Sequence, residues 1–172
     1  MGTLYLVATP IGNLEDITQR AIRTLRDVGC IVAEDTRHTR KLLKHYQIET
    51  PLISYHEHSK GTRIDHILNE LDAGDVALVS DAGTPNLSDP GYRLVRAALD
   101  AGHTVSSIPG PSAPIAALVA SGLPTDTFIY LGYLPRKGSE RRSVLENMAS
   151  EKRTLVFFEV PHRLQRALDD MI

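Results

Sequence analysis

Short apolar runs alternate with amphipathic stretches along almost the whole chain, and this alternation restricts the fold more than any other feature. Leu4 to Ala8 reads as a buried strand, and Ile17, Ala21, Ile22, Leu25 and Val28 then recur at helical spacing before Gly29. Cys30 to Ala33 reads as the next strand. Thr36 to Tyr46 follows as a basic helix with Leu42 and Leu43 as core anchors, and Leu52 to Tyr55 as a weak strand. Ile64, Ile67, Leu68 and Leu71 form another helical face, stopped by Ala73-Gly74. Val76 to Ser80 is a strand, Tyr92 to Ala101 a helix, and Thr104 to Ile108 a strand. Strands joined by helices through short loops form a mostly parallel α/β sheet covered on both faces.

A second α/β unit follows an Ala-rich helix over Ser112 to Ser121 and the break Gly122-Leu-Pro124. The expected division is residues 1–122 and 123–172. The second unit holds the strands Phe128 to Leu131 and Thr154 to Glu159, a charged helix over Gly138 to Ala149, and a helix that starts at Pro161. Two strands rarely make a sheet that stands alone. The expectation is therefore an incomplete second domain in a fragment of a longer protein.

The 172 residues contain 42% hydrophobic residues, which suits a soluble globular core. Lys plus Arg number 19 and Asp plus Glu 21, for a formal net charge of −2. That disfavours a uniformly basic nucleic-acid coat and leaves room for a local basic patch. The single cysteine, Cys30, lies in an apolar run and reads as a core thiol. No Cys/His cluster has zinc spacing, so no metal is expected. The first apolar run is too short for a signal peptide, and no stretch approaches membrane-spanning length. The expected setting is cytoplasmic, away from membranes.

Three loops follow strands of the first domain: Thr9-Pro-Ile-Gly-Asn13, Ser80-Asp-Ala-Gly-Thr-Pro85 and Pro109-Gly-Pro-Ser-Ala113. In a parallel sheet they lie along one edge, where ligands bind beyond the carboxyl ends of strands. Neither the dinucleotide nor the nucleoside-triphosphate glycine signature is present. The loops fit a ligand without phosphate, such as a nucleoside with an amino-acid tail.

These segments, together with Ala33-Glu-Asp-Thr-Arg-His-Thr39 and Ser88-Asp-Pro-Gly91, occur in the order found in the tetrapyrrole methylase superfamily, which the chain resembles over nearly its full length. More narrowly it is similar to the family of ribosomal RNA small subunit methyltransferase I, whose members methylate a cytidine 2′-hydroxyl of 16S ribosomal RNA. The resemblance implies S-adenosylmethionine bound between two α/β domains. Carried over, its contacts are Pro10 and Ile11 of the first loop, then Asp81, Ala82, Gly83, Thr84 and Leu87. Ser112 and Ala113 follow, then Phe158 and Glu159 of the second domain. It also implies a homodimer. The chain departs from the pattern in two places. The Gly-x-Gly-x-Gly-Asp loop usual in tetrapyrrole-modifying members is absent, which favours the ribosomal branch. Phe158 and Val160 stand where Tyr and Ser are usual.

The implied chemistry is an in-line attack of oxygen on a sulfonium methyl, without a metal. Alignment contributes roughly 7–11 kcal/mol to such a step. A ribose hydroxyl is a weak acid, so a base assists as its proton leaves. Glu34, Asp35 and Asp81 are the candidates, with Asp35 favoured as base or hydroxyl orienter and Asp81 as a cofactor-side anchor. The other role open to Asp35 is to cap the helix at Thr36.

The run Arg37, His38, Arg40, Lys41, Lys44 and His45 is either an RNA-facing patch or an ordinary solvated helix face. Arg37, His38, Arg40 and Lys41 are its candidate RNA contacts. Tyr55-His-Glu-His58 places His56 on the substrate side, and Arg136 opens a second basic stretch. The expected partner is small-subunit ribosomal RNA, free or in the assembled subunit. Two other readings stand beside this one: a methylase of tetrapyrroles or other small molecules, and a non-catalytic module that binds cofactor or RNA.

Overall fold

In the computed structural model, residues 1–56 and 61–172 are described, and they divide into two compact units, Met1–Ser112 and Ala113–Ile172. The division falls before the Ala-rich helix, which packs with the second unit.

The first unit runs β1 (Thr3–Val7), α1 (Gln19–Asp27), β2 (Cys30–Ala33), α2 (Thr36–His45), β3 (Leu52–Ser54), α3 (Gly61–Ala73), β4 (Val76–Val79), α4 (Tyr92–Asp100) and β5 (Thr104–Ile108). A 3₁₀ turn over Leu14–Asp16, capped by the Asn13 side chain, precedes α1 and has no clear mark in the apolar pattern. The strands form one parallel sheet in the order β3-β2-β4-β1-β5.

Every residue of β2 and β4 is buried, which explains why these strands are continuous apolar runs rather than alternating ones. Successive residues serve opposite faces. Ile31, Ala33, Ala77 and Val79 pack with Leu25, Leu42 and Leu43, while Val32, Val76 and Leu78 pack with Ile67, Leu71, Leu94 and Ala98. Helices α1 and α2 therefore cover one face, and α3 and α4 the other. Cys30 is buried among the second set, and burial pushes its thiol up to about 11.

Local caps match the composition. Thr18 accepts from the Ala21 N–H at 3.0 Å at the head of α1, and the Asp35 side chain caps α2 by accepting from the Arg37 N–H. The Gly2 N–H donates to the Leu71 carbonyl at 2.8 Å. A Cβ built on Gly2 would stand 1.9 Å from the Gly74 carbonyl oxygen, so only glycine lets the chain enter β1 against the end of α3.

The second unit consists of α5 (Ala113–Ala120), β6 (Phe128–Tyr133), α6 (Gly138–Met148), β7 (Thr154–Phe158) and α7 (Pro161–Asp169). Strands β6 and β7 pair in parallel, with a register shift between Tyr130 and Tyr133 that lets β6 run past the expected end at Leu131. Tyr130 and Tyr133 both lie against Phe158, with centroids 5.7 and 5.3 Å apart. Among the described residues, no helix is long and apolar enough to cross a membrane.

Candidate functional site

The sheet order decides which loops meet. Strand β1 sits between β4 and β5, so the loops that follow these three strands are neighbours at the carboxyl edge. They are knitted together. Thr9 and Gly83 exchange backbone hydrogen bonds of 2.9 and 3.0 Å, and Thr84 Oγ1 donates to the Pro111 carbonyl at 3.1 Å. Thr9 Oγ1 donates to the Ser80 carbonyl at 3.3 Å. Gly83 has φ +78, and a Cβ there would meet Ile11 Cγ2 at 3.2 Å, so glycine both permits the turn and lets the first loop close onto it. Asn86 and Ser88 also have positive φ, which marks this loop as held in an uncommon conformation.

Pro10, Ile11, Asp81, Ala82, Gly83, Thr84, Leu87 and Ser112 thus belong to one loop cluster of the first unit. Asp81 and Ala82 are exposed at its surface, and Gly83 is buried beneath them. Ala113 opens α5, and Phe158 and Glu159 end β7, all in the second unit.

A second feature adjoins the cluster, over the ends of β3, β2 and β4. It is a depression of about 460 Å3 lined by Glu34, Asp35, Thr36, Arg37, Ser54, His56 and Asp81. Asp81 belongs to both features and stands at their junction. The three candidate carboxylates share this depression, yet their surroundings differ. The Asp35 carboxylate accepts from the Arg37 N–H at 2.8 Å, from Nε at 3.1 Å and from a terminal guanidinium nitrogen at 2.9 Å. The Arg37 hydrogen bonds hold the Asp35 carboxyl far below the usual carboxylate range. Asp81 Oδ1 accepts from the Asp35 N–H at 3.2 Å. Partial burial, then the charges of Asp81 and Asp89, push the Glu34 carboxyl up, with His56 opposing. Asp89, a member of the Ser88-Asp-Pro-Gly91 motif with no role expected from the sequence, is itself pushed up, mainly by burial and against a hydrogen bond from Ser80.

His56 lies 3.3 Å from Ser54 Oγ on the rim of the depression. Glu57 and His58 lie outside the described residues. Arg37, His38, Arg40 and Lys41 are all exposed on α2, which starts at the depression. Arg37 turns back onto Asp35, whereas Arg40 and Lys41 have no ion-pair partner among the described residues. No group of three or more His, Cys, Asp or Glu there could hold a metal ion.

Arg136 belongs to a groove in the second unit, at the ends of β6 and β7. Its other lining residues are Tyr133, Leu134, Pro135, Val160, His162 and Arg163. His162 and Arg163 lie in the first turn of α7, past the end of β7. Their adjacency in Pro161-His-Arg163 was the available signal.

Comparison with known proteins places the chain in a family. Residues 3–172 match the family model for tetrapyrrole (corrin/porphyrin) methylases. A relative from Halalkalibacterium halodurans named ribosomal RNA small subunit methyltransferase I is 56% identical over 99% of this chain and 60% of its own length. One of the same name from Synechocystis is 55% identical over 99% of the chain and 62% of its own length. The chain thus spans about 60% of the length of these relatives. Among solved structures, the methyltransferase CobJ superposes with a TM-score of 0.70 at 19% identity, over 99% of this chain and 75% of that one. A cobalamin-synthesis-related protein, CobF, from Corynebacterium diphtheriae reaches 0.65 at 22% identity, over 91% of this chain and 71% of that one. Both show the expected fold, mostly parallel in its first unit. The chain belongs to the tetrapyrrole methylase family.

Proposed function

We propose that the protein transfers a methyl group from S-adenosylmethionine to the 2′-hydroxyl of a cytidine in small-subunit ribosomal RNA. The observation that carries this reading is the similarity of nearly the whole chain to relatives named for ribosomal RNA small subunit methylation, at 56% and 55% identity. The same resemblance supports a homodimer acting in the cytoplasm; sedimentation of the purified protein tests the dimer.

The loop cluster fits S-adenosylmethionine. None of the three loops carries a lysine or arginine, and no run of glycine amides cradles a phosphate. Exposed Asp81, the small residues beside it and the backbone groups around Gly83 suit a phosphate-free nucleoside with a cationic sulfonium centre. When bound, S-adenosylmethionine supplies an electrophilic methyl group.

The rest falls to the chain. Pro10, Ile11 and the 81–84 loop orient the donor over β4, β1 and β5. The depression over β3, β2 and β4 receives the ribose. Glu34 takes the hydroxyl proton. Asp35 is too well held as an anion by Arg37 for that role, and Glu34 lies beside it with a carboxyl shifted toward neutral pH. Proton affinity nearer the working pH makes a better base. Asp35 keeps the capping role, and Asp81 fixes the start of α2 through the Asp35 amide.

The test is transfer of labelled methyl from S-adenosylmethionine to unmethylated small ribosomal subunits, run beside a porphyrinogen acceptor. Label in the RNA is expected. Label only in the tetrapyrrole would overturn the proposal.

A further inference from the structure

The two helical layers of the first unit differ in charge. Helices α1 and α2, which share one face of the sheet, carry seven Lys or Arg residues against the single acid Asp27. Four of the seven lie on α2, and Arg20, Arg23 and Arg26 lie on α1. Helices α3 and α4, on the other face, carry three Lys or Arg residues against four acids. A chain of formal net charge −2 thus gathers positive charge on one side. The sequence pattern gives the cations of α2 a place against RNA and leaves the arginines of α1 without a role.

Two hydrogen bonds make the helices one surface. A terminal guanidinium nitrogen of Arg26 donates to the carbonyl of Tyr46, at the end of α2, at 2.8 Å. The Tyr46 hydroxyl donates in turn to the carbonyl of Leu14, in the turn before α1, at 2.5 Å. Arg26 is therefore used to tie α1 to α2. Arg20 and Arg23 are both exposed, and neither has an ion-pair partner among the described residues. Glu15 and Asp16, exposed just before α1, pair with neither.

Helix stability does not account for these two arginines. Arg20 stands in the first turn of α1, where the helix dipole favours an acid and the sequence supplies none. Arg23 is three residues from both Arg20 and Arg26, so like charges are neighbours on the helix surface, which opposes folding. Local choices that work against the fold mark a surface shaped for a ligand, and here the ligand is anionic. Its place fits RNA. The depression proposed to receive the ribose lies at the head of α2, so the phosphates flanking that ribose can run onto the face that α1 and α2 share. We propose that α1 is a second helix of the RNA-binding face, with Arg20 and Arg23 as donors to backbone phosphates and Arg26 as the tie that holds α1 beside α2. This rests on the reading of RNA as the substrate, and it widens the contact beyond α2.

The probe is a fluorescently labelled single-stranded oligoribonucleotide, with its binding to the full-length protein followed against KCl concentration. Removing the partner of one phosphate lowers the slope of log affinity against log salt by about 0.7. The double variant Arg20→Gln/Arg23→Gln is expected to lower it by about 1.4. Arg63→Gln removes an exposed cation of α3, on the other face, and should leave the slope unchanged. Affinity for S-adenosylmethionine should stay at the wild-type value in both variants. The urea midpoint of the double variant should not fall, because neither arginine supports its helix.

An unchanged slope in the double variant overturns the proposal. So does an equal drop for each charge removed in Arg63→Gln, which would make the effect one of net charge rather than of a surface. Methyl transfer by the wild-type protein, measured alongside, separates the two readings. Transfer with an unchanged slope in the double variant sinks the α1 contact alone, and a lowered slope without transfer sinks the reaction alone.

Discussion

Asp35 and Arg37 close a clasp at the head of α2, in which both carboxylate oxygens are taken by the arginine's backbone amide and guanidinium. Glu34, next in the chain, lines the same depression without sharing that clasp. Two adjacent acids therefore differ in proton affinity because one has a cation in contact and the other has burial and like charges around it.

Glu34→Gln is accordingly expected to lower the rate of methyl transfer by about 10²–10⁴-fold, the usual share of a general base. Asn is as good a helix cap as Asp, so Asp35→Asn should cost only a few-fold. Single-turnover rates at saturating S-adenosylmethionine check both. Equal losses in the two variants would remove the distinction.

The pH dependence follows from the same shift. A Glu34 base would act only when ionised, so the rate should fall as pH drops through its raised pKa, and Glu34→Gln should lack this limb. Stability has the opposite sign. A carboxyl whose folded pKa exceeds its unfolded one favours folding below the unfolded value, and that contribution is lost as pH rises through the folded value. Urea midpoints of wild type and Glu34→Gln should therefore change relative to one another as the pH rises past the ordinary glutamate range, with wild type losing ground. Parallel midpoints across that window would contradict the shift.

Gly83→Ala forces a side chain into a left-handed turn and against Ile11. The conformational cost is about 1–2 kcal/mol. The loop cluster should relax, weakening S-adenosylmethionine binding by roughly tenfold or more while the sheet stays folded. Calorimetric titration measures this, and unchanged affinity would detach the cluster from the cofactor.

Gly2→Ala is the matching test of the core. A methyl group driven toward the Gly74 carbonyl must move backbone, and overpacking of this kind costs about 1–3 kcal/mol. The urea midpoint should drop by that equivalent.

Arg40→Ala with Lys41→Ala should flatten the salt dependence of RNA binding by up to about 1.4 in slope, or about 0.7 for each phosphate left without its cation. Arg37→Ala should do less, because its guanidinium is engaged by Asp35. An unchanged slope in the double variant would return α2 to the role of a solvated face.

The strands were legible because burial on both faces leaves uninterrupted apolar runs, as in Cys30–Ala33 and Val76–Val79. The loops that gather beyond β1, β4 and β5 were legible from their small residues. The sheet order was not, since apolar runs do not record which strand lies beside which. The contrast between Glu34 and Asp35 was also hidden. It depends on where one arginine side chain turns, and nothing in the spacing of Glu34-Asp35-Thr36-Arg37 sets that direction. The Glu159–Arg163 pair was obscured in the same way: its i,i+4 spacing is common, and nothing in the sequence shows that it is buried.

Whether the chain methylates a ribose, with Glu34 as the base, is decided by nucleoside analysis of small-subunit RNA. Unmethylated subunits would be incubated with methyl-labelled S-adenosylmethionine and the protein at its natural full length. Label is expected in 2′-O-methylcytidine, nearly abolished by Glu34→Gln and retained by Asp35→Asn. Label on a base carbon or nitrogen, or none in RNA, would contradict both the acceptor and the role of Glu34.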